Sequence, residues 1–502
     1  MSVVNISRQW TRKVDLCLYL LNNRTCPGRG CQRSHNMRAI QAQQRYTAKK
    51  PCTNGPNCAF LLLGHCGWYH PNEHWEQAER VRIKRVLELT RSLKDLETLV
   101  IDHSLVDARS VGITQDRHLA SFNKVSNGEI AVPGTPPRLT PLAHPRQMPR
   151  DSDNKAICFD FPQYTHLFEP LLRSVETMQP TFNLVDSVDV VSNANNLRKL
   201  FSLLSNDMRS SDRYDIEMKG STLLLSRWND DPNLSHSFGC GAGFERETCQ
   251  YTPEDDPVLQ GSLSHHRVVS YSFGGLQCVV QSEVDAYYCD CDHSETPAAP
   301  ILSTPKHKKA LSDPSPLPRY HQSRPSPNPQ TTRFSPSTAF AALTLDDPGD
   351  SPAFTAATPP TTVPSPTLRV HHTGHTIPAP CLVEVKTQNA RTPPRSTYEE
   401  QLYFSRRTKL YLAHHEKGLF TPGPDLVVRD MTEDLEVWEK EHQVTLRKLA
   451  ALLRVVRERV SALRAEGIEK VSLVCECDGK GWDGGVRVRL CERGEGEGLL
   501  PP

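Results

Sequence analysis

The sequence lacks a long apolar run, a sizeable excess of charge and an apolar segment close to its first residue. No uninterrupted apolar stretch reaches the roughly 18 residues that indicate a membrane-spanning helix. The opening segment MSVVNISRQWTRKVDL has no apolar core of the kind found in signal peptides, so we expect a protein that is neither secreted nor inserted in a membrane. With 59 basic and 58 acidic residues, net charge +1, global charge indicates neither a nucleic-acid partner nor its absence.

Disulfides are also not expected, although the chain contains 16 cysteines. Many of these cysteines are grouped with histidines, a pattern that favours metal binding in a reducing compartment. The nucleus or the cytoplasm is the expected location, and the sequence does not separate them. At 502 residues the chain is long enough for roughly two to four domains.

Two groups of three cysteines and one histidine lie in the first part of the chain. Their spacings are C-x8-C-x4-C-x3-H and C-x5-C-x7-C-x3-H. Three thiolates and one imidazole complete a tetrahedral zinc site with no open position, which is a structural type of site. The eight predicted ligands of two structural zinc ions are Cys17, Cys26, Cys31, His35, Cys52, Cys58, Cys66 and His70. The pattern resembles the CCCH zinc-finger family, with fingers over 10–37 and 46–72.

The resemblance to CCCH fingers implies contact with RNA. In that family, aromatic side chains between the zinc ligands stack on unpaired bases, while basic side chains follow the backbone. The corresponding candidates here are Tyr19, Arg24, Arg29, Phe60, Trp68 and Tyr69. The alternative is a metal-stapled module that docks another protein.

Composition and periodicity divide the rest of the chain. Residues 73–124 have apolar residues at helical spacing and are expected to form a helical connector, followed by a linker rich in Pro, Gly and Arg over 125–154. A globular domain of mixed strands and helices is expected over 155–291 and 379–492. The intervening segment 292–378 is rich in Pro, Ser and Thr, which predicts a disordered insert that could meet a protein partner.

The predicted insert interrupts the domain between two strands. Because loop closure entropy rises only slowly with loop length, the strands predicted over 276–288 and 380–387 could be neighbours in one sheet. Further along the chain, the apolar periodicity predicts one long amphipathic helix over 432–464.

Two of the predicted strands carry a dense group of charges. Glu283 and Asp285 share one face of the first strand, and Glu384 and Lys386 share one face of the second, because side chains alternate along a strand. An isolated E-x-K pattern usually marks a solvated face. Three carboxylates at one point would instead repel one another unless a cation lay among them. Oxygen ligands select Mg²⁺ or Mn²⁺, and a lysine beside the metal is the arrangement of PD-(D/E)xK nucleases.

The order of three short motifs adds a second resemblance. The sequence GAGFE (241–245), then EVDA, then EVKT resembles the DXO family of RNA 5′-end decapping nucleases, and the likeness covers most of 155–492 apart from the insert. It implies that Glu245, Asp285 and Glu384 bind the catalytic metal. It also implies that Glu283 acts through water and that Lys386 contacts water or phosphate.

Two features depart from the family pattern. A site glutamine is expected on the helix after the lysine, where Gln401 is close but a gapless alignment places Leu402. The family also has an arginine before the helix that matches NNLRKLF, where this chain has Ala194 and Asn195. The remaining candidates to contact an RNA 5′ end are Arg198, Arg213 and Arg227.

Two other patterns are weaker. DDPGD (346–350) resembles the diphosphate-binding motif of prenyl synthases, but it lies in the Pro-rich insert without the helix and apolar cavity that such chemistry needs. Cys289, Cys291 and His293 could bind a metal, although C-x-C-x-H alone is not specific and is expected to mark the start of the insert.

The predicted fold class is α+β, with a mixed β-sheet nuclease core, flanking helices, the disordered insert and two preceding zinc-stapled fingers. The predicted function is that of a zinc-finger RNA-binding protein with a metal-dependent RNA 5′-end nuclease domain. The alternative is an RNA-binding or adaptor protein of the same fold that has lost catalysis.

Overall fold

The computed structural model describes the chain in separate stretches. They are 69–99, 110–125, 128–151, 166–205, 211–228, 239–291, 368–390, 397–422, 427–477, 486–494 and 498–500. The first predicted finger, most of the second and the segment 292–367 lie outside the described residues. Of the predicted zinc ligands, His70 alone lies within them.

The described residues form both helices and strands, and no helix among them is long and apolar enough to span a bilayer. In chain order, these helices are α1 (Asn72–Leu89), α2 (Glu169–Met178), α3 (Leu184–Ser187), α4 (Ala194–Leu204), α5 (Gly241–Thr248), α6 (Pro257–Gln260), α7 (Thr397–Ser405), α8 (Thr432–Glu441) and α9 (Gln443–Ala465), with a 3₁₀ turn over Ala379–Cys381.

Within the same described residues, the strands form two sheets. They are β1 (Leu93–Leu99), β2 (Ile113–Val125), β3 (Glu129–Pro133), β4 (Arg138–Leu139), β5 (Arg146–Gln147), β6 (Val190–Asn193), β7 (Asp212–Lys219), β8 (Thr222–Arg227), β9 (Cys249–Gln250), β10 (Ser264–Phe273), β11 (Leu276–Val284), β12 (Ala286–Tyr287), β13 (Arg369–Thr373), β14 (Leu382–Asn389), β15 (Lys409–Glu416), β16 (Leu419–Phe420), β17 (Val428–Asp430), β18 (Lys470–Cys477) and β19 (Val486–Arg493).

The larger sheet has the strand order β1-β19-β18-β7-β8-β6-β11-β10-β2-β3-β13 and mixes parallel with antiparallel pairs. Its strands are apolar on both faces because helices cover both. Val269 of β10 packs in the core with α4, α7 and α9, whereas the adjacent Val268 packs in the core with α2. This alternation follows from the two-residue period of a strand. The predicted α+β class with a mixed sheet and flanking helices is therefore confirmed.

The long helix α9 covers one face of this sheet. Its buried apolar residues recur every three or four positions, which places them along one stripe. They include Leu446, Leu449, Leu453, Val456, Val460 and Leu463. The single helix predicted over 432–464 is in fact two helices, α8 and α9, which meet at His442. The ring of His442 stacks on Trp438 at 4.5 Å between ring centroids, and its Nδ1 lies 2.8 Å from the Trp438 carbonyl oxygen.

The smaller sheet has the order β5-β16-β15-β14-β12-β4-β9, with β17 paired to β15. Its central strands β14 and β15 are parallel, and Val383, Val385 and Tyr411 fill a separate core beneath them. The strands on either side of the predicted insert were expected to be neighbours in one sheet. This is only partly correct, because β11 belongs to the larger sheet. Its continuation β12 pairs antiparallel with β14 in the smaller one. Asp285 is the residue between β11 and β12.

The predicted helical connector over 73–124 ends at Leu89. Leu93, Leu96 and Leu99 have the three-residue spacing of a helix, yet they belong to β1, which pairs antiparallel with the late strand β19. Pairing with a strand nearly 400 residues away overrode the local periodicity, as often happens with strands. The remainder of the predicted connector includes β2, which lies inside the larger sheet.

The predicted linker and the predicted end of the insert are also part of the sheets. The linker range 125–154 contains β3, β4 and β5. The range 292–378, expected to be disordered to its end, includes β13, which pairs parallel with β3 at the edge of the larger sheet. High Pro and Gly content concealed these strands because each is short. β5 and β13 are edge strands, where such residues are tolerated, and β3 and β4 are each next to an edge strand.

We expect the turn at Gly134 to be essential for this edge. Gly134 has φ +62°, donates its N–H to the Thr373 carbonyl at 3.0 Å, and a Cβ at this position would lie 2.7 Å from the Asn123 backbone nitrogen. Gly134→Ala should lower the free energy of unfolding by about 2–5 kcal/mol, since a left-handed alanine costs roughly 1–2 kcal/mol and overpacking adds about 1–3 kcal/mol.

The matched control is Gly128→Ala. Gly128 has a similar φ of +74°, but nothing lies within 4 Å of the added Cβ. Thermal melts of the full chain should show a clearly larger loss of Tm for Gly134→Ala than for Gly128→Ala. Equal losses would contradict the assigned packing of this turn.

Candidate active site

Three elements bring the predicted acidic residues to the junction between the two sheets. Glu245 lies on α5, and Glu384 lies on β14. Glu283 lies near the end of β11, and Asp285 directly follows that strand. The connection between β11 and β14 is direct, because Asp285 Oδ2 accepts a hydrogen bond of 2.7 Å from the Val385 backbone N–H. The side chain of Asp285 therefore fixes its own position against the strand that carries Glu384.

The helix α5 is held against this junction by hydrogen bonds at its start and by one buried aromatic side chain. Asp151 accepts hydrogen bonds from the N–H groups of Ala242 and Gly243, at 3.3 and 3.2 Å, which satisfies two donors at the start of the helix. Phe244 is fully buried, with its ring centroid 4.4 Å from that of Phe420. The phenylalanine of the GAGFE motif thus anchors the helix, and the next residue, Glu245, is placed at the cleft.

Glu384 is the most buried of the four carboxylates, with 1% of its side chain exposed. Its Oε2 lies 2.6 Å from Nη2 of Arg407, and its Oε1 is paired with Nζ of Lys386. The side-chain amide of Gln401 also donates to Oε1. Two cations and one amide therefore surround this carboxylate.

Arg407 was not identified from the sequence. It is one of the largest fully buried side chains of the described residues, and its Nε donates to Ser405 Oγ at 3.1 Å. It lies between α7 and β15, where the sequence FSRRTK offers two consecutive arginines and no periodicity that separates them. The other, Arg406, has positive φ and contacts Asp116 at 3.3 Å at the surface. Nothing local in the sequence indicates which of the two is buried.

Lys386 contacts two of the acids. Its Nζ lies 3.6 Å from Asp285 Oδ2 in addition to its contact with Glu384. Burial alone would lower the pKa of Lys386, but Asp285, Glu384 and Glu245 together raise it. Burial would likewise raise the pKa of Glu384, but Arg407 and Lys386 lower it. The Glu384–Lys386 pair is thus ionised on both sides.

The other three carboxylates are less well compensated. The pKa of Glu245 is raised well above its usual range, first by burial and then by the charge of Asp285, with Glu283 and Glu384 adding to it. The pKa of Asp285 is raised by burial and by Glu384, and that of Glu283 by burial and by Asp285. The charges of the four acids therefore affect one another's pKa values at a single site.

Glu283 is the solvent-exposed member of this group of acids. Its cross-strand neighbour on β10 is His266, whose pKa is lowered by burial. Lys124 of β2 also approaches from this side. Burial lowers the pKa of Lys124, and the charge of Glu283 partly offsets this effect. Lys124 was not identified from the sequence because it lies in the range interpreted as a connector.

The two departures from the family pattern can now be placed. Gln401 contacts Glu384, whereas Leu402, the residue that the gapless alignment gave, is fully buried in the main core. The helix α7 turns by about 100° per residue, which puts adjacent residues on different faces.

The three candidate arginines also differ in whether they lie near the acidic residues. Arg213 and Arg227 are paired with Asp215 and Asp212 of the larger sheet, each at 2.8 Å. Arg198 is half-buried, is hydrogen-bonded to Asn195 at 2.7 Å, and is one of the charges that lower the pKa of Glu384. Of the three, it is Arg198 whose charge acts at the cleft.

The donor chemistry of the cleft suits a hard divalent cation. All of its acidic side chains offer carboxylate oxygen. Burial first, and then the charges of neighbouring carboxylates, raise the pKa values of Glu245 and Asp285, and a cation would offset both effects. No three of these carboxylates, however, have oxygen atoms that all lie within 4.8 Å of one another. In the part of the chain that the structure describes, the one group of three ligating side chains with donor atoms all within 4.8 Å is Cys289, Cys291 and Cys381.

The predicted zinc and RNA-binding residues of the fingers lie outside the described residues, apart from two. Tyr69 is 51% exposed, and His70 is buried immediately before α1, with its Nδ1 3.3 Å from Nδ1 of His74. The two zinc sites and the contacts of the fingers with RNA stay predictions.

Comparison with solved structures finds proteins of similar architecture at low sequence identity. Rai1 of Scheffersomyces stipitis, solved in complex with (3′-NADP)⁺ and calcium ion, is 10% identical, with 81% of this chain and 97% of that chain covered and a TM-score of 0.48. Rai1 of Candida albicans in complex with pU5-Mn²⁺ is 11% identical, with 82% and 97% covered and a TM-score of 0.43. Dxo1 of K. lactis in complex with manganese is 8% identical, with 82% and 98% covered and a TM-score of 0.40.

No curated protein matches the sequence. A family model described as a domain of unknown function, DUF8563, matches residues 114–345 and 335–476. These ranges include α5, β11, β12 and β14, and therefore all the acidic residues of the cleft. The chain belongs to this DUF8563 family.

Proposed function

We propose that the chain is a metal-dependent nuclease that acts on RNA 5′ ends. The observation that carries the proposal is the convergence of four carboxylates and one lysine, from α5, β11 and β14, in one cleft where their charges act on one another. The order of the three motifs along the chain, which resembles that of DXO enzymes, supports RNA 5′ ends as the substrate. The convergence could not be read from either strand alone.

Glu245, Asp285 and Glu384 would hold the Mg²⁺ or Mn²⁺ ion. Such an ion activates water and stabilises the charge that develops on a scissile phosphate. Asp285 is already oriented by the Val385 N–H, and Glu384 by Gln401 and Arg407. The protein thus fixes the direction of two ligands in advance, which lowers the entropy lost when they bind an ion.

Lys386 and Glu283 would act on the substrate and on water. Lys386 carries its proton and lies at the acids rather than in the core, so its ammonium can donate to a phosphate oxygen or orient a water molecule. Glu283 is exposed to solvent and would accept a hydrogen bond from that water. Lys124 and Arg198 add positive charge at the cleft that would draw in the RNA backbone.

The fingers would bring RNA to this cleft. Two zinc ions would fold them, and the aromatic and basic residues between the zinc ligands would bind unpaired RNA. The proposed contacts are Tyr19, Arg24, Arg29, Phe60, Trp68 and Tyr69. The exposure of Tyr69 is compatible with stacking on a base.

A second candidate function is RNA binding without cleavage. It is favoured by the environment of Glu384, whose two oxygens are occupied by Arg407, Lys386 and Gln401. A buried carboxylate that is already neutralised gains less from a metal than an uncompensated one. A domain in which this network is permanent would keep its fold and bind RNA without turnover.

Substitution of Glu245 should have opposite effects with and without metal. In EDTA at neutral pH, Glu245→Gln should raise Tm, because the raised pKa of Glu245 means that its ionised form costs folding free energy. Below pH about 4.3, the pKa of a glutamate in the unfolded chain, Glu245 is protonated in both the folded and the unfolded protein. The gain in Tm from Glu245→Gln should therefore vanish at such low pH and grow as the pH rises above about 4.3. In Mn²⁺ the wild-type Tm should rise, by the equivalent of about 2.7 kcal/mol at 100 times Kd, and the variant should lose most of that rise.

Glu247→Gln is the matched control for this measurement. Glu247 lies on the same helix and pairs with Arg146 at 2.8 Å at the protein surface. Its substitution should leave the Mn²⁺-induced rise in Tm intact. A wild-type Tm that is the same in Mn²⁺ and in EDTA would count against the metal site.

The nuclease itself is tested with the full chain and three RNAs that carry a 5′ triphosphate, a 5′ monophosphate or a cap. We expect product in Mn²⁺ and none in EDTA, and the fragment released identifies the reaction. Glu384→Gln and Asp285→Asn should each lower the rate by about 100-fold or more, the effect of losing one preorganised charge at a reaction centre. RNA binding by both variants should persist.

Glu247→Gln should cleave as the wild type does in the same assay. The absence of product from all three RNAs, with RNA still bound, would overturn the nuclease and favour the second candidate function.

A further inference from the structure

Three cysteine thiols meet at the start of the strand that carries Glu384. Their sulfur atoms all lie within 4.8 Å of one another, and the Sγ atoms of Cys291 and Cys381 are 3.9 Å apart. Cys381 is buried, Cys289 is half-buried and Cys291 is exposed, so the group opens to solvent on one side. No disulfide joins the cysteines whose side chains the structure describes.

The fold brings these residues together through the pairing of β12 with β14. Tyr287 is the cross-strand partner of Leu382, and the next residue, Tyr288, donates its N–H to the Cys381 carbonyl at 2.8 Å. The chain after Tyr288 therefore continues past Cys381. The 3₁₀ turn over Ala379–Cys381, closed by a 2.9 Å hydrogen bond from the Cys381 N–H to Pro378, presents the third thiol.

The arrangement matches a tetrahedral zinc site. A Zn–S bond of about 2.3 Å places two sulfur ligands of a tetrahedron about 3.8 Å apart, close to the observed 3.9 Å. A disulfide would instead require the sulfurs to approach to about 2.05 Å and would leave the third thiol without a role. Thiolate ligands select zinc over the hard cations that suit the carboxylate cleft.

We propose that Cys289, Cys291 and Cys381 bind a zinc ion, separate from those of the fingers and from the Mg²⁺ or Mn²⁺ of the acidic cleft. The fourth position of the tetrahedron is open to water or to a further ligand. The C-x-C pair was visible in the sequence, whereas the third thiol, Cys381, lies 90 residues after Cys291.

The consequence is a metal link between two distant parts of the chain. Cys291 follows β12 closely, and Cys381 lies directly before β14. Bound zinc would join these two parts of the chain and fix the start of the strand that presents Glu384 and Lys386. Closing a loop of this length by a metal restricts the unfolded chain, which stabilises the folded domain.

The zinc content of the full chain, purified with reductant and measured by mass spectrometry of the metal, tests the proposal. Cys291→Ser should lose about one zinc ion per chain relative to the wild type, and Cys381→Ser should lose the same amount. Cys291 is exposed, so its substitution is not expected to unfold the protein. The matched control is Cys249→Ser, a half-buried cysteine of the same sheet that belongs to no thiol cluster, and it should keep the wild-type zinc content.

Equal zinc content in the wild type, Cys291→Ser and Cys381→Ser would overturn the proposal. A second measurement tests it independently of folding. Thiols are alkylated at the moment of lysis, and the peptides are then analysed for a Cys291–Cys381 disulfide. We expect alkylated or metal-protected thiols, whereas a disulfide between these two cysteines as the main form in the cell would also overturn the zinc site.

Discussion

The neutralisation of one buried carboxylate, Glu384, is the constraint on which the site depends. A carboxylate that is 1% exposed costs several kcal/mol in lost hydration unless opposite charge and hydrogen bonds replace it. Arg407, fully buried between α7 and β15, supplies one positive charge. Lys386, which lies on β14 like Glu384 itself, supplies the other. Since Gln401 lies on α7 and Arg407 lies in the connection from α7 to β15, their contacts also hold the helix and the connection against β14.

The same network determines what the cleft can bind. Four carboxylates act on one another here, and two cations, Lys386 and Arg407, contact them directly. Negative charge is left in excess. It adds to the effect of burial, which is the main cause of the raised pKa values of Glu245, Asp285 and Glu283. A divalent ion would remove this excess. To reach Glu384 and Asp285 it has to share their oxygens with Lys386, and the outcome of that competition separates a nuclease from an RNA-binding protein of the same fold.

The sequence predicted what depends on local periodicity. Alternation placed Glu283 with Asp285 and Glu384 with Lys386, and the spacing of leucines and valines predicted the helix that covers the larger sheet. The sequence could not predict what depends on distant pairing. Leu93, Leu96 and Leu99 have helical spacing but pair with β19, and Cys381 completes a thiol group that begins 90 residues earlier.

Some side chains at the cleft could not be identified from the sequence for a different reason, which is that neighbouring residues point in different directions. Arg406 and Arg407 are adjacent and chemically identical, and only the tertiary structure buries the second. Gln401 was displaced by one residue in a gapless alignment, although a single position on a helix changes the face by about 100°. Three-dimensional direction, rather than residue type, decides the role of each of these residues.

The most direct test of this account is the position of Mn²⁺ in crystals of the protein, located by anomalous scattering. The account predicts a peak bound by Glu245, Asp285 and Glu384, with Nζ of Lys386 moved away from the Glu384 oxygen that it contacts in the structure described above. An acidic cleft without an anomalous peak, in which Lys386 and Arg407 still hold Glu384 at high Mn²⁺ concentration, would contradict it.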